Sequence, residues 1–349
     1  MRLPLRMNHR PTIKDVAALA GVHHTTVSLA LRNHPSIPEA TRARIRVAAE
    51  KVRYRPDPML ASLMHYRRSQ QSRQRQSVIA WVTNFPTRSR WRQTRVFQEL
   101  HAGASARAER LGFKLEEFWL RDQGMSLARA QQILRARAIS TLLLAPQPEP
   151  DGELALDWSD FSAVTLGFTL ARPRLHLVSN HQFASMTILL QRLHALGYNR
   201  IGLALPLRLD QRVHHGWLGS YLAGQIPLPR TRRPAPWLFD EFSNAGLKTW
   251  LRRARPDVVI TPTERIWDAI PKLGYDVPGD IGLAHPSVPA PDDGRTGIDE
   301  NSRAIGAAAL DLLSALWQHN ERGIPREPHS LLIEGRWVAG RTVRTDSQM

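Results

Sequence analysis

The sequence predicts a two-part molecule: an all-α N-terminal helix-turn-helix domain with a short helix behind it, then a two-lobed α/β core built on parallel sheets. Three observations predict it. The first fifty residues show helical apolar spacing broken at a glycine and a proline. From Ser77 onward, short apolar runs alternate with helical patterns. The charge is also uneven: of 48 Lys+Arg and 31 Asp+Glu in 349 residues, residues 1–75 hold 15 and 4, a net of +11. Such asymmetry marks a segment for nucleic acid or another anionic surface, joined to a more ordinary domain.

The first helix opens at Thr12, with Asp15 three residues on as an acidic capping box. Its apolar face is Ile13, Val16, Ala17 and Ala20, and Gly21 ends it. A second helix runs from His24 to Leu31, burying Val27 and Leu31, and Asn33-His34-Pro35 breaks it. Pro38 suits the first turn of a third helix, whose inner face is Ile45, Ala48, Ala49 and Val52. Two short helices across a tight Gly-containing turn form a unit whose second helix fits a DNA major groove. His24, Thr25, Thr26 and Ser28 put hydrogen-bonding groups on the face away from Val27 and Leu31, where base edges and phosphates would lie.

Asp57 and Pro58 then start a helix of about eight residues, too short to be stable alone in water. It sits beside the polar linker SQQSRQRQS, as an element that folds on binding would. The expected domains are residues 1–55 for the helix-turn-helix, 56–76 for the hinge helix and linker, and 77–349 for the core.

TIKDVAALAGVHHTTVSLAL, continuing through Ala40-Thr41-Arg42 to Tyr54-Arg55-Pro56, closely resembles the N-terminal domain of LacI/GalR-type bacterial transcription regulators. The resemblance implies that the second helix reads an operator, with His24, Thr25 and Leu29 at base-reading positions. It places Thr12, His23, Thr26, Ser28, Arg32 and Thr41 at phosphate contacts. Leu63 matches a leucine that paired hinge helices insert into the minor groove. Two positions depart from the pattern: Arg32 stands where Asn is usual, and Leu29 where many members carry Arg.

In the core, strands are expected at Val78–Val82, Thr141–Ala145, Ala163–Phe168, Ile201–Leu205, Val258–Thr261 and Ile281–Ala284. Helices are expected at Phe97–Leu111, Leu127–Ala138, Phe183–Leu196, Asn244–Arg253, Ile266–Leu273 and Arg303–Asn320. The alternation implies βα units, and the length suits two lobes around a ligand cleft. The family resemblance continues more loosely. HLVSNHQFASMTILLQRLHALGYNRIGLAL looks like the passage into the second lobe, and LGYDVPGDIGLA and Ile305-Gly306-Ala307-Ala308 match later landmarks. It implies a periplasmic-binding-protein-like core, a sugar-like effector between the lobes, and a homodimer. Several cleft positions depart from the pattern. Arg212 lies four residues before Gly216, where three is usual; Glu264 replaces an Asp; His285-Pro286-Ser287 stands where Gly-x-Asp is typical. Thr83, Asn84, Arg212 and Glu264, near strand ends, are the expected effector contacts.

Other chemistries find little support. The absence of cysteine removes disulfides, thiolate catalysis and Cys-type metal sites. His23-His24 and His214-His215 lack helical metal-ligand spacing, and Asp292-Asp293-Gly294 reads as a turn and not a calcium loop. Neither a phosphate-binding glycine loop nor a nucleophile elbow is present. Trp81, Trp217 and Trp237 read as core or cleft wall. The expectation is no enzyme, no cofactor and no metal. The start MRLPLRMNHR has positive charge without an apolar stretch behind it, and no run suits a membrane span, so a cytoplasmic protein is expected. The leading function is a sequence-specific DNA-binding transcription regulator, a repressor, binding a near-palindromic operator as a dimer under effector control. The alternatives are an effector-independent DNA-bending protein, and a solute-binding or enzymatic core with a nonspecific basic arm.

Overall fold

Three short helices open the chain: α1 (Ile13–Ala20), α2 (His24–Leu31) and α3 (Glu39–Lys51). The computed structural model describes residues 11–31, 34, 36–54, 77–290 and 293–345. The expected hinge helix, with Leu63, and also Arg32 lie outside the described residues. At the start of α1 the Thr12 backbone N–H and hydroxyl both donate to the Asp15 carboxylate at 2.7 Å. Gly21 ends the helix at φ 63°, a left-handed conformation that costs glycine little. Val16, Ala17, Ala20, Val27, Ala30, Ile45, Ala48 and Ala49 form one buried cluster between the three helices. The second buried anchor of α2 is Ala30 and not Leu31, which is only partly covered. Positions three and four after Val27 share one face, and the smaller side chain occupies its tightly packed centre. Val52 is likewise only partly covered.

The first lobe holds a six-stranded parallel sheet in the order β13-β7-β5-β3-β1-β2. Its strands are β1 (Ser77–Thr83), β2 (Phe113–Trp119), β3 (Thr141–Leu144), β5 (Ser162–Leu166), β7 (His176–Asn180) and β13 (Ser330–Ile333). A two-stranded flap, β4 (Gly152–Glu153) with β6 (Leu170–Arg172), lies outside it. Helices α4 (Arg95–Arg110) and α11 (Ser302–Gln318) cover one face of the sheet, and α5 (Leu127–Ala136) the other. The second lobe has the order β14-β12-β11-β10-β8-β9. These are β8 (Ile201–Pro206), β9 (Trp237–Phe239), β10 (Val258–Ile260), β11 (Gly282–His285), β12 (Thr296–Asp299) and β14 (Arg336–Val338). All run parallel except β14, antiparallel to β12. Helices α6 (Gln182–Ala195) and α8 (Gly216–Gln225) pack on one side and α9 (Asn244–Ala254) and α10 (Glu264–Lys272) on the other. The short α7 (Leu207–Arg212) follows β8.

All six expected strands and all six expected helices form, with ends shifted by a few residues. The strands without a sequence signal are mostly at sheet edges or short: β2 carries FKLEEFW, and β13 is largely exposed. Edge strands bury only part of one face, so their apolar pattern is diluted.

The chain passes between the lobes three times, at residues 180–182, 299–302 and 333–336. The first passage falls inside the segment expected from the sequence. A single side chain ties all three together. Asn180, 1% exposed, donates from Nδ2 to the carbonyls of Glu300 and Ile333, each at 3.1 Å. Its Oδ1 accepts from the Ser185 hydroxyl at 2.8 Å, and that oxygen accepts from the Gly335 N–H at 3.2 Å. Helices α4 and α11 also touch backbone to backbone. A Cβ on Gly103 would lie 2.0 Å from the Arg303 carbonyl oxygen, and one on Gly306 would lie 2.0 Å from that of Leu100. Those two glycines bring the N-terminal turns of both helices side by side.

Candidate DNA-reading face and inter-lobe site

The buried anchors Val27 and Ala30 fix how α2 is turned, and so leave its N-terminal end outward. His23, His24 and Thr25 are exposed; Thr26, Ser28 and Leu29 are partly so. The His23 Nδ1 and the Thr25 hydroxyl are hydrogen-bonded at 2.9 Å, and the His23 and His24 rings lie 4.1 Å apart. No acidic residue stands in the first turn of α2, so its free backbone N–H groups keep their attraction for an anion. Leu29 packs partly against the three-helix core, which leaves only an apolar flank outward. Thr12 is engaged in the α1 cap, and Thr41 lies partly buried in the first turn of α3. This surface can offer a phosphate backbone helix-terminal N–H groups and offer base edges two imidazoles and a hydroxyl.

Between the lobes, Asn84 and Arg212 meet on one loop. Asn84, just beyond β1, donates to the Gln147 side chain at 3.4 Å and accepts from Arg121 Nε at 3.1 Å. From the other lobe, Arg212 Nη1 donates to the carbonyls of Gln147 at 3.1 Å and Pro148 at 2.7 Å. Burial pushes its pKa below the usual guanidinium range, and the neighbouring Arg208 adds to that. Arg208 pairs with Glu149, and the Phe168 and His214 rings meet at 5.6 Å, so the same edge carries three contacts across the lobes. Thr83, at the end of β1, is fully buried and its hydroxyl has no hydrogen-bond partner. The turn carrying Arg212 is unusual. His214 and His215 both adopt left-handed φ, at 54° and 57°, and the buried Asp210 braces them by accepting from His215 Nδ1 at 2.8 Å. That turn accounts for the shifted spacing between Arg212 and Gly216.

Glu264 lies apart from these three. Arg295 holds its carboxylate bidentately, with one bond of 2.7 Å, and keeps its pKa below the usual range. The Arg295 guanidinium also lies 4.9 Å from the Trp267 ring centroid. Beside them His285 is buried, its pKa pushed down to about 4 by desolvation and by Arg295.

Sequence reasoning missed a third group, at the passages between the lobes. Trp217 Nε1 donates to Gln182 Oε1 at 2.7 Å, and Gln182 Nε2 donates to Glu300 Oε1 at 3.0 Å. Desolvation raises the Glu300 pKa. Beside it opens a cavity of about 250 Å³ lined by the first turns of α4 and α11, by Val288 and Pro289, and by Arg336. The only sequence signal was the passage segment itself, since these partners come from three distant stretches. Among the described residues, no group of three or more His, Asp or Glu could hold a metal ion, and no helix is long and apolar enough to cross a membrane.

Comparison with known proteins separates the two parts of the chain. Residues 12–57 match the family model of bacterial regulatory proteins of the lacI family. Over 52 residues the chain is 52% identical to the probable HTH-type transcriptional repressor ExuR of Bacillus subtilis (strain 168). That match spans 15% of this chain and 16% of the repressor's length. Over 95% of this chain and all of the other, the structure resembles a complex of the transcriptional regulator CelR with cellobiose, at TM-score 0.53 and 20% identity. A lac repressor dimer bound to operator and the anti-inducer ONPF matches over 97% of this chain and all of that one, at TM-score 0.52 and 18% identity. The DNA-binding domain is thus of the lacI family by sequence, and the core shares the fold of these regulators.

Proposed function

We propose that this chain, a LacI-type regulator by its first domain and its fold, is a sequence-specific transcriptional repressor that binds a near-palindromic operator as a homodimer. The observation that carries this reading is α2. Its anchors are buried, its first turn is free of acids, and His24 and Thr25 project from the end that meets base edges in a helix-turn-helix. Thr12, His23, Thr26, Ser28, Arg32 and Thr41 contact phosphates, and Leu63 wedges the central step. The net +11 of residues 1–75 supplies the counterion release that drives such binding. Relatives described as a repressor and as an operator-bound dimer support the reading.

The cleft supplies control. A small, sugar-like effector between the lobes, reaching Thr83, Asn84, Arg212 and Glu264, changes lobe closure and with it the placement of the two reading domains. Coupling of this kind amounts to about 1–3 kcal/mol. The cellobiose-bound relative supports a sugar-like ligand. Genomic footprinting of the full chain tests the core of the proposal. The expected result is discrete, two-fold-symmetric protected sites, with affinity falling by a log–log slope of about −0.9 per phosphate neutralised as salt rises. Uniform coating without protected sites would leave only a basic arm that adheres to nucleic acid.

A further inference from the structure

The cavity at the lobe passages has a charge pattern that a neutral sugar does not need. Arg95 and Arg303 stand in the first turns of α4 and α11, and Arg336 opens β14 on the opposite wall. Neither helix has an acidic residue in its first turn or a side-chain cap at its N-terminus. Unpaired N–H groups at the start of a helix create a positive potential, and an arginine there raises it further. Two such ends share this one cavity because Gly103 and Gly306 bring the helices into backbone contact.

The acidic groups present do not cancel that field. Glu99 is paired with Arg303. Asp299 accepts from the Asn301 backbone N–H at 3.0 Å. Glu300 accepts from Gln182, and desolvation moves its carboxyl toward the neutral form. Arg336 makes no ion pair among the described residues, is exposed, and lines the cavity. Arginine presents a planar fork matched to carboxylate or phosphate.

We propose that the effector of this chain is an anionic sugar derivative, whose carboxylate or phosphate sits in the passage-side cavity between Arg336 and the first turns of α4 and α11. This rests on the reading that the cleft binds an effector. It adds the chemical class: a sugar acid or a sugar phosphate, with the neutral parent sugar excluded by the unmatched positive groups. The cavity, at about 250 Å³, has room for a small molecule of this kind. An anion there bonds to β14 on one lobe and to α4 and α11 on the other, so it favours the closed arrangement by direct contact.

Calorimetry on the full chain with glucose, glucuronate, glucose 6-phosphate and their galactose counterparts tests the class, with operator binding measured in parallel. The expected result is that at least one anionic form binds at least about tenfold more tightly than its neutral parent. Arg336→Gln should erase that preference, while Arg230→Gln, an equal charge change elsewhere on the surface, should keep it. Whether the carboxylate or the phosphate series binds identifies the anion. Equal or tighter binding of neutral sugars, an anion preference that survives Arg336→Gln, or binding of none of these compounds would each overturn the proposal. In all three cases an intact operator footprint leaves the regulator reading standing, whereas loss of operator specificity in the wild-type chain removes that reading itself.

Discussion

On the reading helix, polar side chains find partners within a turn of themselves; in the cleft, they find them a lobe away. Thr12 bonds to Asp15, and His23 to Thr25. By contrast Asn84 bonds to Gln147, Arg212 to Pro148, and Asn180 to the carbonyls of Glu300 and Ile333. The difference has a functional consequence. A face built from local bonds is the same whatever the core does, so an effector need only move the domain and not remake its chemistry. A site built from long-range bonds exists only while the lobes keep their relation, which makes it sensitive to closure.

The strongest test of that contrast is Gly306→Ala. Its Cβ would overlap the Leu100 carbonyl oxygen, a backbone atom that cannot rotate away. A loss of about 3 kcal/mol or more is expected in the core alone. All ten tryptophans lie beyond residue 76, so fluorescence in denaturant follows the core by itself. The helical domain, followed by amide exchange in α1–α3, should be unchanged. If both parts lost stability together, they would not be independent units.

On the local side, changing His24 and Thr25 together to Ala should cost about 1–3 kcal/mol per good contact, confined to particular base pairs in an operator-variant binding screen. Base preferences retained at every position would mean these side chains do not read sequence.

Asn180→Ala probes the long-range side directly. It removes the donor shared by the Glu300 and Ile333 carbonyls and leaves both buried oxygens short of a partner, at about 2 kcal/mol. Effector-dependent operator release should weaken, with effector-free operator affinity kept. Unchanged release would show that the three passages do not transmit closure.

The smallest effect expected is on pH. His285 has a folded pKa near 4 against an ordinary value of 6.5, so the unfolded chain takes up its proton first as pH falls. Its contribution is complete above pH 6.5 and shrinks toward pH 4, by about 1 kcal/mol at pH 5.5. Core denaturation compared at pH 7.5 and 5.5 should show this loss, and His285→Gln should flatten it. The operator-reading domain should not share that slope.

The sequence by itself determined the helical domain almost entirely: its three helices, the Thr12 cap, the Gly21 stop and the outward face of α2. All of these rest on interactions within about four residues, which spacing records directly. It also determined the alternating strands and helices of both lobes and the point of first passage between them. The edge strands β2, β13 and β14 escaped because half-covered strands need little apolar pattern. Only the tertiary structure decided the cleft. Asn84 and Arg212 are joined through Gln147 and Pro148, whereas Glu264 is held by Arg295 elsewhere in the second lobe. Asn180 serves three passages, and Arg95, Arg303 and Arg336 share one cavity. Each of those groupings joins residues tens to hundreds of positions apart, and their meeting depends on helix contacts such as Gly103 against α11, which no periodicity in the chain encodes.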